Sequence, residues 1–211
     1  MQIADTFMTM IFECFNDRGD VFDDAFMLIS SLCVNLEQEM DKHSNKIGPY
    51  IFHALKQRDL QKHAAMLISD LCTYVRSNSI LEGYEEYIPK LHEILIDEEV
   101  ERETKLSAIS AIGDTISMTS KRYEPFIEKT LEIFIQAARM SVGEIDVNDP
   151  DILTYMTSLH SSLIDAFSSI TLDIENFSEA VQNGYFQLIP QILEFLVKCL
   201  ENKFTPALVS A

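Results

Sequence analysis

The stretch Ala25-Phe26-Met27-Leu28-Ile29-Ser30-Ser31-Leu32-Cys33 recurs as Ala64-Ala65-Met66-Leu67-Ile68-Ser69-Asp70-Leu71-Cys72, 39 residues on (64−25) and identical at seven of nine positions. Amphipathic helices share a spacing of apolar residues, but spacing alone does not reproduce Met-Leu-Ile-Ser in register. The two stretches are copies of one unit. Around the first copy, Phe22, Ala25, Phe26, Ile29, Leu32, Cys33 and Leu36 fall three or four apart, which places them on one face of a helix.

A second phrase alternates with this one. Proline, any residue, Ile or Leu, three residues, then Leu occurs at Pro49 to Leu55, Pro89 to Leu95, Pro125 to Leu131 and Pro190 to Leu196. Proline fixes φ and has no N–H, so it suits the first turn of a helix and disfavours the interior. Each phrase therefore predicts the opening of a second helix, with its +2 and +6 residues buried on one side. The starts lie 40 (89−49), 36 (125−89) and 65 (190−125) residues apart. Alternating helices with a period near forty describe an α-solenoid.

Working outward, residues 3–15 form a dense apolar helix, followed by the break Asn16-Asp17-Arg18-Gly19-Asp20. The next helices are expected at 21–37, from Pro49 to about Gln57, at 60–76, and from Leu81 to Asp97 through Pro89. The series continues at 101–118, where Ile112-Gly113-Asp114 echoes Ile68-Ser69-Asp70, and at 123–140. A polar loop spans 141–151, and Asp149-Pro150 makes an N-cap and first helical residue for 150–170. Residues 171–184 read as an insertion holding a short helix that ends at Asn183-Gly184, before a last helix at 186–202. The tail from Phe204 is expected to fray. The organisation is one all-α segment over 1–211: half a repeat, then helix pairs at about 21–57, 60–97, 101–140 and 150–202. A solenoid end needs a polar cap, and 3–15 is too apolar for one, so the expectation is a segment of a longer array.

Composition narrows the function classes. With 34 acids against 16 bases in 211 residues, the formal charge is −18. Such a chain repels phosphates, which argues against nucleic acid and favours basic protein segments. No apolar run approaches the roughly 20 residues that cross a bilayer. Cys14, Cys33, Cys72 and Cys199 show no ligand spacing and sit among apolar residues, as buried thiols in a reducing compartment do. The five histidines, His43, His53, His63, His92 and His160, form no triad or zinc-ligand pattern. Glu85-Glu86 lacks any sign of an enclosed acid–base pocket. There is no phosphate-binding glycine motif. These residues point to no enzyme and no cofactor.

Paired helices of this period, with Asp inside the first helix and proline in the second, resemble HEAT repeats. The runs Leu67 to Cys72 and Ala111 to Ile116, followed by Tyr123, Phe126, Ile127 and Leu131, resemble successive repeats in the C-terminal half of the importin-β (karyopherin-β) family. Ile133 to Ala138, the acidic loop ending near Asp149 and Asp151, and Leu159 to Ala166 follow the same order. The similarity covers roughly residues 5–200. It implies a nuclear import receptor shuttling between cytoplasm and nucleus through the nuclear pore. In that family second helices line a concave face that holds cargo or the basic importin-β-binding segment of importin-α. First helices lie on the convex face and bind FG-repeat nucleoporins, and Ran-GTP binds the inner surface to release cargo. This sequence has no Trp, so no tryptophan-based contact of the family carries over. The N-terminal repeats bearing Ran's main site, and the family's long acidic loop, have no counterpart in it.

The residues suggest where such contacts would fall. With +2 and +6 buried, the other side of the Pro89 helix carries Glu85, Glu86, His92, Glu93 and Asp97. The Pro125 helix carries Glu124, Glu128 and Glu132, and the Pro190 helix Glu194. Stacked, these would form a carboxylate column suited to a Lys/Arg-rich segment; the plain alternative is a solvated helix face. The Pro49 helix interrupts it with His53, Lys56 and Gln57. On the first helices, Ala65, Met66 and Ile109 could floor a groove that admits a phenyl ring, or be ordinary core between repeats. The rival function with the same fold is a HEAT scaffold in a phosphatase-like assembly, and the rival within the family is a different karyopherin.

Overall fold

The computed structural model describes residues 2–17, 22–76, 78–142 and 149–201. Its helices are α1 (Gln2–Asp17), α2 (Phe22–Leu36), α3 (Asp41–Ala54), α4 (Gln61–Asp70), α5 (Asn78–Ile96), α6 (Arg102–Thr119), α7 (Glu124–Ser141), α8 (Pro150–Asp173) and α9 (Glu179–Glu201). No strand occurs among the described residues. α2, α4, α6 and α8 lie side by side as one layer, and α3, α5, α7 and α9 form a second. One continuous apolar core runs between the layers from Met8 to Cys199. Each unit buries its face on its neighbours, which is how a solenoid is held together.

The first layer packs closely because its contact faces are small. Ala64, Ala65, Ala108 and Ala111 are fully buried, and a Cβ placed on Gly113 would lie 3.3 Å from Ala166 Cα. α6 is covered by α4 on one side and α8 on the other, so residues from Thr104 to Thr119 are buried on several faces. Polar side chains tie successive units together: the Ser69 hydroxyl donates to Asp114, Tyr84 donates to the Arg122 carbonyl at 2.9 Å, and Ser120 donates to Asp173 at 2.9 Å.

The turns inside the first three helix pairs share a device. Glu37, Arg76 and Ser120 each adopt a positive φ, between 47° and 50°, where L side chains crowd the backbone. Before Arg76, α4 is extended by a π turn over Leu71–Val75.

The proline phrases mark second helices but open only one of them. Pro125 sits in the first turn of α7. Pro49, Pro89 and Pro190 lie inside α3, α5 and α9. Interior proline loses a hydrogen bond and costs about 3 kcal/mol, yet apolar burial upstream outweighs it: Met40 and Ile47 before Pro49, Tyr84, Tyr87 and Ile88 before Pro89, Tyr185 before Pro190. The second helix of the first pair thus begins at Asp41 and not at Pro49. Burial at +2 holds for Ile51, Leu91, Ile127 and Ile192; at +6, Leu55 and Leu131 are buried while Leu95 and Leu196 are half-buried.

The expected insertion at 171–184 is absent in that form. α8 runs on to Asp173, a 3₁₀ turn covers Ile174–Asn176, and α9 starts at Glu179, so Asn183-Gly184 lies within a helix. The Glu124 carboxylate accepts from the Ser178 N–H at 3.0 Å, at the mouth of α9. The Asp149 cap holds as expected, its side chain accepting from the N–H of Asp151 at 2.9 Å and of Ile152 at 3.3 Å. The break at 16–20, the loop at 141–151 and the tail from Phe204 fall largely or wholly outside the described residues. Cys33, Cys72 and Cys199 are buried, but Cys14 is exposed.

Candidate functional site: the second-helix face

The exposed side of α5 follows from its apolar stripe. Tyr84, Tyr87, Ile88, Leu91 and Ile94 are buried, which leaves Glu85, Glu86 and Glu93 on the outer face, all exposed. On α7, Ile127, Leu131, Phe134 and Ile135 are buried, and Glu128 and Glu132 are exposed. On α9, Glu194 is exposed beside buried Ile192 and Phe195.

Asp97 and Glu124 have structural partners instead, and Glu194 has a surface one. Asp97, half-buried after α5, receives the Arg58 guanidinium at 3.1 Å, linking the turn before α4 to the turn before α6. Glu124 holds the start of α9, and that hydrogen bond from Ser178 keeps its carboxyl below the usual range. Glu194 bonds Lys198 at 2.8 Å, and that bond lowers its carboxyl in the same way.

The column is less uniformly acidic than its carboxylates suggest. Lys90 pairs with Glu93 at 2.5 Å and Lys129 with Glu132 at 2.7 Å. Glu86 and Glu128 carry no ion pair among the described residues. Exposed pairs of this kind contribute about 0–1 kcal/mol, so exchanging an internal lysine for a cation from a partner costs little. The end of α3 and the turn after it offer exposed His53, Lys56 and Gln57 in place of acids; the Lys56 ammonium lies 3.7 Å from the Phe52 ring centroid.

His92 does not belong to the exposed face. It is 7% exposed and its Nε2 lies 2.8 Å from Thr130 Oγ1. Thr130 donates its one proton to the Phe126 carbonyl at 3.0 Å, so its oxygen accepts both from His92 Nε2–H and from the Tyr123 hydroxyl at 2.8 Å. Burial, then the nearby Lys129 ammonium, push the imidazole down to about 4, so it is neutral at pH 7. Burial of Leu91 and Leu95 alone would leave the +3 position on the outer side; packing of α5 on α7 covers it.

On the first-helix layer, Ala65 and Ile109 are buried where α4 meets α6, at 0% and 2% exposure, whereas Met66 is 41% exposed. Its counterpart in the preceding copy, Met27, is likewise exposed. Between these helices half-buried Asp70 and Asp114 form a short acidic row. Burial raises both carboxyls; hydrogen bonds from Ser30 to Asp70 and from Ser69 to Asp114 act against it.

One feature of the second-helix layer has no counterpart in the sequence reading. α7 and α9 leave a groove of about 730 Å³ between them, walled by Ile127, Leu131 and Ile135 on one side and Val181, Gly184 and Leu188 on the other. Glu128 and Glu132 stand on its rim. The signal was available as an apolar stripe from Val181 through Leu188, but the expected insertion obscured it. Among the described residues no three His, Cys, Asp or Glu side chains converge as metal ligands, and no helix is long and apolar enough to cross a membrane.

Comparison with known proteins matches residues 1–209 to the family described as importin subunit beta-1-like, TPR repeats. The spacing of 39 between the two copied stretches exceeds the 34 typical of TPR units and lies at the edge of the HEAT range. Importin subunit beta-1 of Saccharomyces cerevisiae is 23% identical over 210 residues, covering 95% of this chain and 23% of that protein. A solved structure of Kap95p with RanGDP superposes with a TM-score of 0.75 at 20% identity, over 95% of this chain and 23% of that one. A Kap95:Nup1 complex gives 0.75 at 20% identity over 93% and 22%, and an importin beta structure gives 0.76 at 20% identity over 91% and 22%. The fold is the HEAT-type solenoid of those structures. The chain spans about a quarter of the length of the relatives it matches.

Proposed function

This chain belongs to the importin subunit beta-1-like family, and on that premise we propose that it is a segment of a nuclear import receptor, a carrier and not an enzyme. It works as four helix pairs and a preceding half-repeat within a longer array, moving between cytoplasm and nucleus through the nuclear pore. The second-helix face holds the basic importin-β-binding segment of importin-α or a basic cargo. Ran-GTP regulates that binding, and FG-repeat nucleoporins dock on the first-helix layer beside exposed Met66, whereas Ala65 and Ile109 are core between the repeats and floor no groove. The observation that carries the reading is the set of exposed carboxylates on adjacent second helices, Glu85, Glu86 and Glu93 on α5 with Glu128 and Glu132 on α7. Charge-assisted bonds from Lys and Arg would form there at the expense only of weak surface pairs. Asp97 and Glu124 hold the scaffold that presents them.

The test titrates a fluorescent importin-α basic segment into the chain at low and moderate salt. Binding should weaken with salt and be lost when Glu86, Glu93, Glu128 and Glu132 are all changed to Gln. Absence of binding at low salt to the folded chain would reject the reading and favour a HEAT scaffold.

A further inference from the structure

α1 and α9 stand at opposite ends of the stack, and each exposes an apolar stripe. On α9, Phe186, Leu193, Val197 and Leu200 are each between 51% and 57% exposed. Steps of seven, four and three residues keep them on one side of the helix, over about 21 Å at 1.5 Å per residue. Val181, Gly184 and Leu188 wall the groove against α7, and helical phase puts the stripe on the side opposite them. α8, the other helix of that pair, exposes one large apolar side chain among the described residues, Leu172. The apolar surface left open at this end therefore belongs to the second-helix layer.

α1 presents the complement. Its Phe12 and Phe15 rings stack on Tyr50 of α3, with centroids 5.9 and 4.4 Å apart. Phe7, Met10 and Cys14 are exposed at steps of three and four residues, on the flank turned away from α3. α1 thus extends the second-helix layer at one end as α9 does at the other, and no first helix precedes it among the described residues.

We infer that the α9 stripe of one copy of the chain seats the α1 stripe of a second, so that copies stack head to tail and continue the second-helix layer from chain to chain. Both stripes are uncharged along their length in a chain of net charge −18, so each suits an apolar helix and not a basic segment. The two faces differ, so the contact is heterologous, and with one of each per copy it can repeat. Seven side chains form it, few beside the roughly 20–30 residues a side of a stable interface, and like charge opposes approach. Association is therefore weak and strengthens with salt, the reverse of a basic segment on the carboxylates. The stacking deepens the longer-array reading above and rests on it, with copies of the chain extending the array.

Sedimentation velocity of the full chain, kept reduced because Cys14 is exposed, tests the stacking at low and high salt. Concentrations run up to about 0.5 mM, where weak contacts register. Two variants break one face each, Leu193→Lys on α9 and Met10→Lys on α1. Both side chains are more than half exposed, so melting temperatures should hold. Lysine lowers the negative charge, so repulsion cannot account for lost association. The parent's sedimentation coefficient should rise with concentration, more steeply at high salt. Each variant alone should associate at least tenfold more weakly, whereas an equimolar mixture should form a dimer that grows no further, since one intact α9 meets one intact α1. A parent monomeric at both salts, a variant that associates like the parent, or a mixture no different from its components overturns the stacking. The fluorescent importin-α segment is titrated into the same proteins. Binding without stacking overturns the stacking alone, and stacking without binding overturns the import reading alone.

Discussion

Acidification should loosen the α5–α7 contact through His92. The neutral imidazole is held by Thr130, and its folded pKa of about 4 lies below the ordinary 6.5. Between those values the unfolded chain binds a proton that the folded chain refuses. Stability from this group is therefore complete above pH 6.5 and is lost as pH falls toward 4. At about 1.4 kcal/mol per pH unit the full loss is about 3 kcal/mol, and about 2 kcal/mol of it has gone by pH 5. The proton would enter at Nδ1, since Nε2 already carries the one donated to Thr130, and both burial and the positive charge of Lys129 oppose it. Urea midpoints at pH 7 and pH 5 measure the loss, with His92→Gln as reference because Gln can still donate to Thr130. The variant should be less stable at pH 7 and lose about 2 kcal/mol less than the parent on acidification. His160, also lowered by burial, and Asp70 and Asp114, which act in the opposite sense, are common to both proteins and cancel. Parallel pH dependences would refute the assignment.

Asp114 is raised by burial first and by Asp70 and Asp165 further on, so its contribution is full below the unfolded value and lost as pH rises through the folded one. Asp114→Asn should therefore stabilise the chain at pH 7, an advantage that fades below pH 4 in the same urea series. The two glycines should respond with opposite signs in thermal melts: Gly113→Val destabilises by about 2 kcal/mol through its contact with the Ala166 backbone, whereas Gly184→Ala gains about 1 kcal/mol of helix propensity. Arg76→Gly should stabilise by about 1 kcal/mol by relieving a left-handed conformation. Ser120→Gly should change little, because relief at φ 49° is offset by loss of the bond to Asp173.

The first-helix layer was legible because its packing is demanding. A helix covered on two sides must repeat small and apolar residues at fixed spacing, and Ala64 to Cys72 restates Ala25 to Cys33 nearly letter for letter. Second helices have one side free, and their written mark was only a proline and two aliphatic residues. That mark located α3, α5, α7 and α9 but misplaced the starts of α3 and α9. Local propensity opposes proline inside a helix, and only burial of residues such as Ile47 and Tyr185 reveals that the chain coils through it.

The site divides along the same line. Exposure of Glu85, Glu86, Glu93, Glu128 and Glu132 followed from helical phase alone. Their lysine partners were equally visible three residues away, as Lys90 and Lys129 show, but counting carboxylates without neighbours overstated the charge. The α7–α9 trough depends on where α9 begins. Glu124 takes part in setting that, through a hydrogen bond to Ser178 across 54 residues of chain, beyond the reach of any local pattern. With α9 begun at Glu179 and not near 186, Val181 and Gly184 come to face Ile127 and Leu131. An apparent insertion thereby becomes one wall of the groove between α7 and α9.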